Sequence, residues 1–185
     1  VQASTEVKEN LCIPNQNTNW IDREFLYSFV GAYDGRYYLT NSRQNIFDYL
    51  SDKGGLITER TSWHYQARVY DEQVYGRELS AEYLTEEQKN AIEYIDVLLS
   101  SKFSLCPSGT GPNSIRLWES IEYGSIPVIL ADTLDFPGDK NLWKAACVFV
   151  EETSEAIKSI PSLLKAIVSD KKIYQKKLEA LEELK

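Results

Sequence analysis

Methionine is absent from the 185 residues, and no initiation codon is represented, so the chain is expected to be a fragment or a processed piece of a longer polypeptide. Cysteine is scarce. Cys12, Cys106 and Cys147 are too widely spaced for a zinc motif and each sits in or beside a short apolar run, so buried free thiols and a reducing compartment are expected. No apolar run approaches the roughly 20 residues needed to cross a bilayer, and the opening VQASTEVKEN lacks the pattern of a signal peptide. Basic residues are outnumbered, 20 against 28 acidic, for a net charge of −8. That balance argues against broad binding to nucleic acid or anionic membranes, which Lys and Arg carry. An anionic ligand must be met by a local arrangement.

What is present is an alternation. Short apolar runs at Asn10–Ile13, Phe25–Val30, Gly55–Thr58, Phe103–Cys106, Ile126–Leu130 and Cys147–Val150 read as strands. Helical segments are expected at Thr40–Leu50, Thr85–Ser100, Ser114–Tyr123, Lys140–Ala145, Ser159–Val168 and Lys171–Leu184. The pattern predicts an α/β domain: a Rossmann-like, doubly wound, mostly parallel sheet with helices on both faces. Thr85-Glu-Glu-Gln88 has the form of a capping box opening its helix. Arg60–Leu84, rich in Tyr, Arg and Glu without a clear period, reads as a long excursion of the functional or mobile kind.

The stretch SLCPSGTGPNSIRLWE, residues 104–119, runs from a strand through two glycines and two prolines into a helix. In parallel α/β sheets ligands bind beyond the carboxyl ends of strands, and a helix N-terminus attracts anions. Gly109 and Gly111 permit close approach, and Asn113 or Ser114 can cap the helix or donate to a phosphate oxygen. Arg116 can neutralise phosphate and Glu119 can accept from ribose hydroxyls, while Ile115, Trp118 and Ile121 are expected to face the sheet. A plain turn with an N-cap is the alternative. The Gly-Lys-Ser/Thr of a P-loop is absent. A dinucleotide fingerprint would need a third glycine where Ser114 stands, although Asp132 follows at about the right distance, so an NAD-dependent oxidoreductase remains a minor reading.

These residues resemble the exostosin family of glycosyltransferases. Phe103-Ser-Leu-Cys-Pro-Ser-Gly109, Ser114-Ile-Arg-Leu-Trp-Glu119 and Gly124-Ser-Ile-Pro-Val-Ile-Leu-Ala-Asp132 are similar, in order and spacing, to motifs of that family's C-terminal half. Arg23–Gly31 and Arg43-Gln-Asn-Ile46 look like its first strand and helix, and Leu11-Cys-Ile-Pro14 like the segment joining its two halves. The resemblance covers residues 10 to 170 and is thin through 60–84. It implies an inverting glycosyltransferase with two Rossmann-like domains (GT-B), using a nucleotide-diphosphate sugar, often UDP-linked. Residues 1–24 would be an inter-domain segment, 25–170 the donor-binding domain and 171–185 a closing helix. By motif position, Ser114 and Arg116 would bind the diphosphate, Glu119 the ribose, and Arg43 would reach the phosphates from the first helix. Many relatives carry a further basic residue in the glycine loop, where this chain has Thr110 and Asn113. Ser104 and Ser125 replace common cysteines.

Inverting transfer needs a stabilised leaving group, an oriented donor and a base. No Asp-x-Asp occurs, so transfer without a metal or other cofactor is expected, the diphosphate being met by arginines and a helix N-terminus. His64, the single histidine, is a weak candidate for the base, which the family usually draws from the other half. The chain alone is therefore expected to bind nucleotide and to transfer little sugar; a non-catalytic nucleotide-binding module is the alternative. Its partners would be the donor, a glycan acceptor and the N-terminal half. Trp63, Tyr65, Tyr70 and Tyr94 are candidates for stacking on the base. Asp132 and Asp135 read equally as contacts to the donor sugar and as turn or cap residues. The cysteines favour a cytoplasmic location; the Golgi lumen is the alternative for a eukaryotic member.

Overall fold

The structure, a computed structural model, describes residues 22–51, 53–61, 73, 74, 76 and 81–185. Five strands are connected by helices in the order β1 (Phe25–Gly31), α1 (Ser42–Leu50), β2 (Leu56–Glu59), α2 (Ala81–Ser100), β3 (Ser101–Pro107), α3 (Ile115–Glu122), β4 (Ile126–Leu130), α4 (Lys140–Ala146) and β5 (Val148–Phe149). Two helices close the chain, α5 (Ser154–Ser169) and α6 (Lys171–Leu184). The strands pair in parallel in the order β2-β1-β3-β4-β5, the Rossmann-like arrangement expected. The expected strand at Asn10–Ile13, with Cys12, and His64, Trp63, Tyr65 and Tyr70 lie outside the described residues.

Each central strand is apolar on both sides because both sides are covered. Tyr27 and Phe29 of β1 meet α1: Phe29 packs 5.4 Å from the Phe47 ring, and the Tyr27 hydroxyl donates to the Leu50 carbonyl. Phe103 of β3 is in register with Tyr27 and meets Tyr174 of α6. Cys106, on the opposite side of β3, lies 3.6 Å from the Ser120 hydroxyl of α3. Helices therefore cover both faces. At the bottom of the sheet the buried Arg23 donates to the carbonyls of Leu98, Ser101 and Tyr123, tying the end of α2 and the turn after α3 to the start of β1.

Several boundaries differ from expectation. α2 begins at Ala81, so Thr85 lies inside it and is no N-cap. α5 begins at Ser154, five residues before the expected start, because the Thr153 hydroxyl caps it, accepting from the Ala156 N–H. Asp139 and Asp170 cap α4 and α6 in the same way.

The larger correction concerns α3. Ile115 and Trp118 do not face the sheet: they are 52% and 43% exposed, and the buried positions are Arg116, Leu117, Ser120 and Ile121. The helix is rotated so that a guanidinium, not an indole, occupies its inner face. Trp118 is instead held at the surface, its ring edge-on to Trp143 and its indole N–H donating to the Asn113 side chain.

Candidate anion site at the sheet switch point

The chain leaves β1 in one direction, through α1 to β2, and returns past it through α2 to β3. The gap between the carboxyl ends of β1 and β3 is thus the topological switch point, where the connections on either side diverge and leave a crevice. Arg43, in the first turn of α1, and Arg116, in the first turn of α3, both reach it from opposite faces of the sheet.

The two meet over Gly31, the last residue of β1. A Cβ placed there would stand 3.1 Å from Arg116 Nη2 and 3.4 Å from Arg43 Nη1. Arg116 donates from Nη2 to the Val30 carbonyl and lies over the rings of Phe29, at 4.6 Å, and Tyr94, at 5.3 Å. Arg43 donates from Nε to the Ser108 carbonyl at 3.0 Å and from Nη1 to the Ala32 carbonyl at 3.1 Å, over the Tyr38 ring. Both arginines are more than nine-tenths buried, and among the described residues neither forms a salt bridge. Burial, and then the charge of Arg116, lower the pKa of Arg43 to about 10. Among the described residues Arg116 Nε has no hydrogen-bond partner. Two desolvated, like-charged groups held this close are costly in a free protein, and an anion bridging them removes that cost.

Around this pair stand the other expected site residues. Glu119 is half-buried one turn along α3, and burial raises its pKa against the opposing charge of Arg116. Burial raises the pKa of the Tyr94 hydroxyl well above its ordinary value, against the opposing charge of Arg116. Ser114 is the N-cap of α3 with an extended backbone, and its hydroxyl makes no cap bond, so it leaves the first N–H groups of the helix without a capping oxygen of its own.

The glycine loop is more self-contained than its sequence suggests. The Gly109 N–H is spent on the Gly111 carbonyl at 2.8 Å, and the Gly109 carbonyl accepts from the Leu39 N–H. Neither glycine has a positive φ, and a Cβ on Gly111 would meet none of the described residues within 4 Å. Asn113 is occupied by the Trp118 indole. Asp135 is exposed in an ion pair with Lys140 at 2.9 Å, and Asp132 faces the backbone of Glu152.

One residue of this region was not anticipated. Glu152, just after β5, collects the hydroxyls of Ser108, Thr40 and Ser42 on one carboxylate oxygen, and the Asp132 N–H on the other. Its only trace in the sequence is an acidic pair, Glu151-Glu152, directly following a strand.

Comparison with known proteins identifies the family. The model of the Exostosin GT47 domain matches residues 3–167. The chain belongs to the exostosin GT47 family of glycosyltransferases. An exostosin-1 homolog of Caenorhabditis elegans is 27% identical over 163 residues, covering 86% of this chain and 40% of that protein. A probable glucuronosyltransferase of Oryza sativa subsp. japonica is 38% identical over 88 residues, 47% of this chain and 21% of that protein. Another, of Physcomitrium patens, is 40% identical over 75 residues, 40% of this chain and 16% of that protein. This GT47 chain thus spans less than half the length of the relatives it matches.

Proposed function

We propose that this GT47 chain is the donor-binding half of a glycosyltransferase and binds a nucleoside-diphosphate sugar, UDP-linked, at the β1/β3 switch point. The observation that carries the reading is the pair of buried guanidiniums, Arg43 and Arg116, brought together over Gly31 with no salt bridge to either among the described residues. A diphosphate supplies two adjacent anionic groups to such a pair.

In this reading the two arginines, the Ser114 hydroxyl and the opening N–H groups of α3 hold the diphosphate. Glu119 accepts from the ribose hydroxyls, and Tyr94 borders the nucleoside. The acceptor hydroxyl oxygen attacks the anomeric carbon from the face opposite the phosphate. The bond from that carbon to the β-phosphate oxygen breaks, its electrons leave with the nucleoside diphosphate, and the configuration inverts. The charge that develops on the β-phosphate is met by Arg43 and Arg116, in place of a metal ion. A base from the N-terminal half takes the acceptor proton, so the present chain binds nucleotide and transfers little sugar by itself. Asp132 is the candidate contact to the donor sugar, Asp135 being ion-paired with Lys140. The buried free thiols Cys106 and Cys147 support a reducing, cytoplasmic setting.

The test is calorimetric titration with UDP, GDP, CMP and NAD, first without metal and then with Mg²⁺, repeated on Arg116→Ala and Glu119→Ala. Metal-independent binding of UDP, weakened by both substitutions, is the expected result. Binding of NAD in preference to any nucleoside diphosphate would overturn the reading.

A further inference from the structure

We propose that Glu152 is a positioning residue of the anion site, setting the Arg43 guanidinium through Ser108 and Ser42 without touching it; this rests on the reading of the arginine pair given above. Its carboxylate lies at the carboxyl end of the sheet and joins three loops. Oε1 accepts from the Ser108 hydroxyl at 2.6 Å, after β3, and from the hydroxyls of Thr40 at 2.8 Å and Ser42 at 3.1 Å, before and at the start of α1. Oε2 accepts from the Asp132 N–H at 3.2 Å, after β4, and the Glu152 N–H returns a bond to Asp132 at 3.3 Å. An ionised carboxylate is an acceptor on every side, which is what three hydroxyls and an N–H converging on one point require.

Ser108 is the relay. Its hydroxyl is held by Glu152 while its carbonyl accepts from Arg43 Nε, and its own N–H is bonded to the Leu130 carbonyl of β4. Ser42, the second ligand of the same oxygen, immediately precedes Arg43 in α1. One carboxylate therefore fixes both the turn that carries the guanidinium and the carbonyl that orients it. It also does so at a remove. A carboxylate in direct contact with Arg43 would compete with an anionic ligand, whereas Glu152 spends its acceptors on hydroxyls and leaves the guanidinium uncompensated.

The experiment follows the Arg43 Nε–H signal by NMR in the full chain, together with UDP affinity and thermal melting, in Glu152→Ala, Glu152→Gln and Ser108→Ala. Glu152→Ala is expected to shift that signal and speed its exchange with solvent, and to weaken UDP about tenfold, the scale of one misplaced charged hydrogen-bond donor. Glu152→Gln, which keeps an acceptor oxygen among the hydroxyls, should retain most of both. In an Arg43→Ala background, Glu152→Ala should change UDP affinity little, a non-additivity that general destabilisation would not produce. An unchanged Arg43 Nε–H signal in Glu152→Ala, or equal weakening with and without Arg43, would overturn the proposal. Should Glu152→Ala fail to fold, Ser108→Ala decides by the same signal. A parent chain that binds no nucleoside diphosphate would remove the functional reading, while the Nε–H comparison would still decide the role of Glu152.

Discussion

Arg43 and Arg116 approach the same point at the end of β1 from opposite faces of the sheet, and both guanidiniums pack closely over Gly31. The two charges are held by backbone carbonyls of the strand end and the β3 loop and by aromatic faces, and among the described residues neither forms a salt bridge. Carbonyl oxygens orient a guanidinium without cancelling its charge, so the pair stays available to an anion.

Lysine cannot replace either group. Its ammonium is a point charge that lacks the planar fork and the ring stacking. Arg43→Lys and Arg116→Lys are each expected to weaken UDP by about tenfold or more, while the charge is conserved. Titration calorimetry checks this, and full affinity in both variants would show that charge alone suffices.

The glycines predict opposite outcomes. A Cβ on Gly55 would fall 2.1 to 2.6 Å from the buried Tyr27 ring, so Gly55→Ala should destabilise the fold by about 1–3 kcal/mol through overpacking. Gly111→Ala meets no atom of the described residues within 4 Å and should melt with the parent. Urea denaturation of the two variants separates them.

Glu119 has a pH signature. Its folded pKa is raised above the unfolded value by burial, so the native state holds the proton more tightly than the unfolded chain. Stability therefore falls as pH rises from the unfolded pKa through the folded one. Glu119→Gln removes that loss. The variant is expected to melt higher than the parent at neutral pH and with it below about pH 4, where the carboxyl is protonated in both states. Nucleotide affinity should fall at the same time. A parent and variant that melt together across the whole pH range would contradict the first expectation.

Burial pushes the Cys106 thiol up to about 11, and that of Cys147 further. Thiolate is the reactive form, so neither should be alkylated by iodoacetamide at pH 8 in the native protein, and both should react in denaturant. Mass spectrometry of tryptic peptides reads the difference.

The alternation of elements was legible because strands covered on both faces are continuous apolar runs, and Phe103–Cys106 or Ile126–Leu130 can be read as little else. The family was legible because the motifs around Gly109, Arg116 and Asp132 are local in sequence. Which way α3 turns was not. Its apolar residues point to Ile115, Trp118 and Ile121 as the inner face, yet the structure buries Arg116 and exposes Ile115 and Trp118, since the guanidinium finds a carbonyl and a ring on β1 and a second ring on α2. The role of Glu152 was equally invisible, because its partners lie 20 to 112 residues away. By itself, then, the sequence determined the sheet, its helices and the residue types that can meet a diphosphate. Tertiary structure alone decided that two arginines share one crevice, and that a distant carboxylate holds the loops around them, for side-chain direction depends on packing across the sheet and not on the order of residues along one strand.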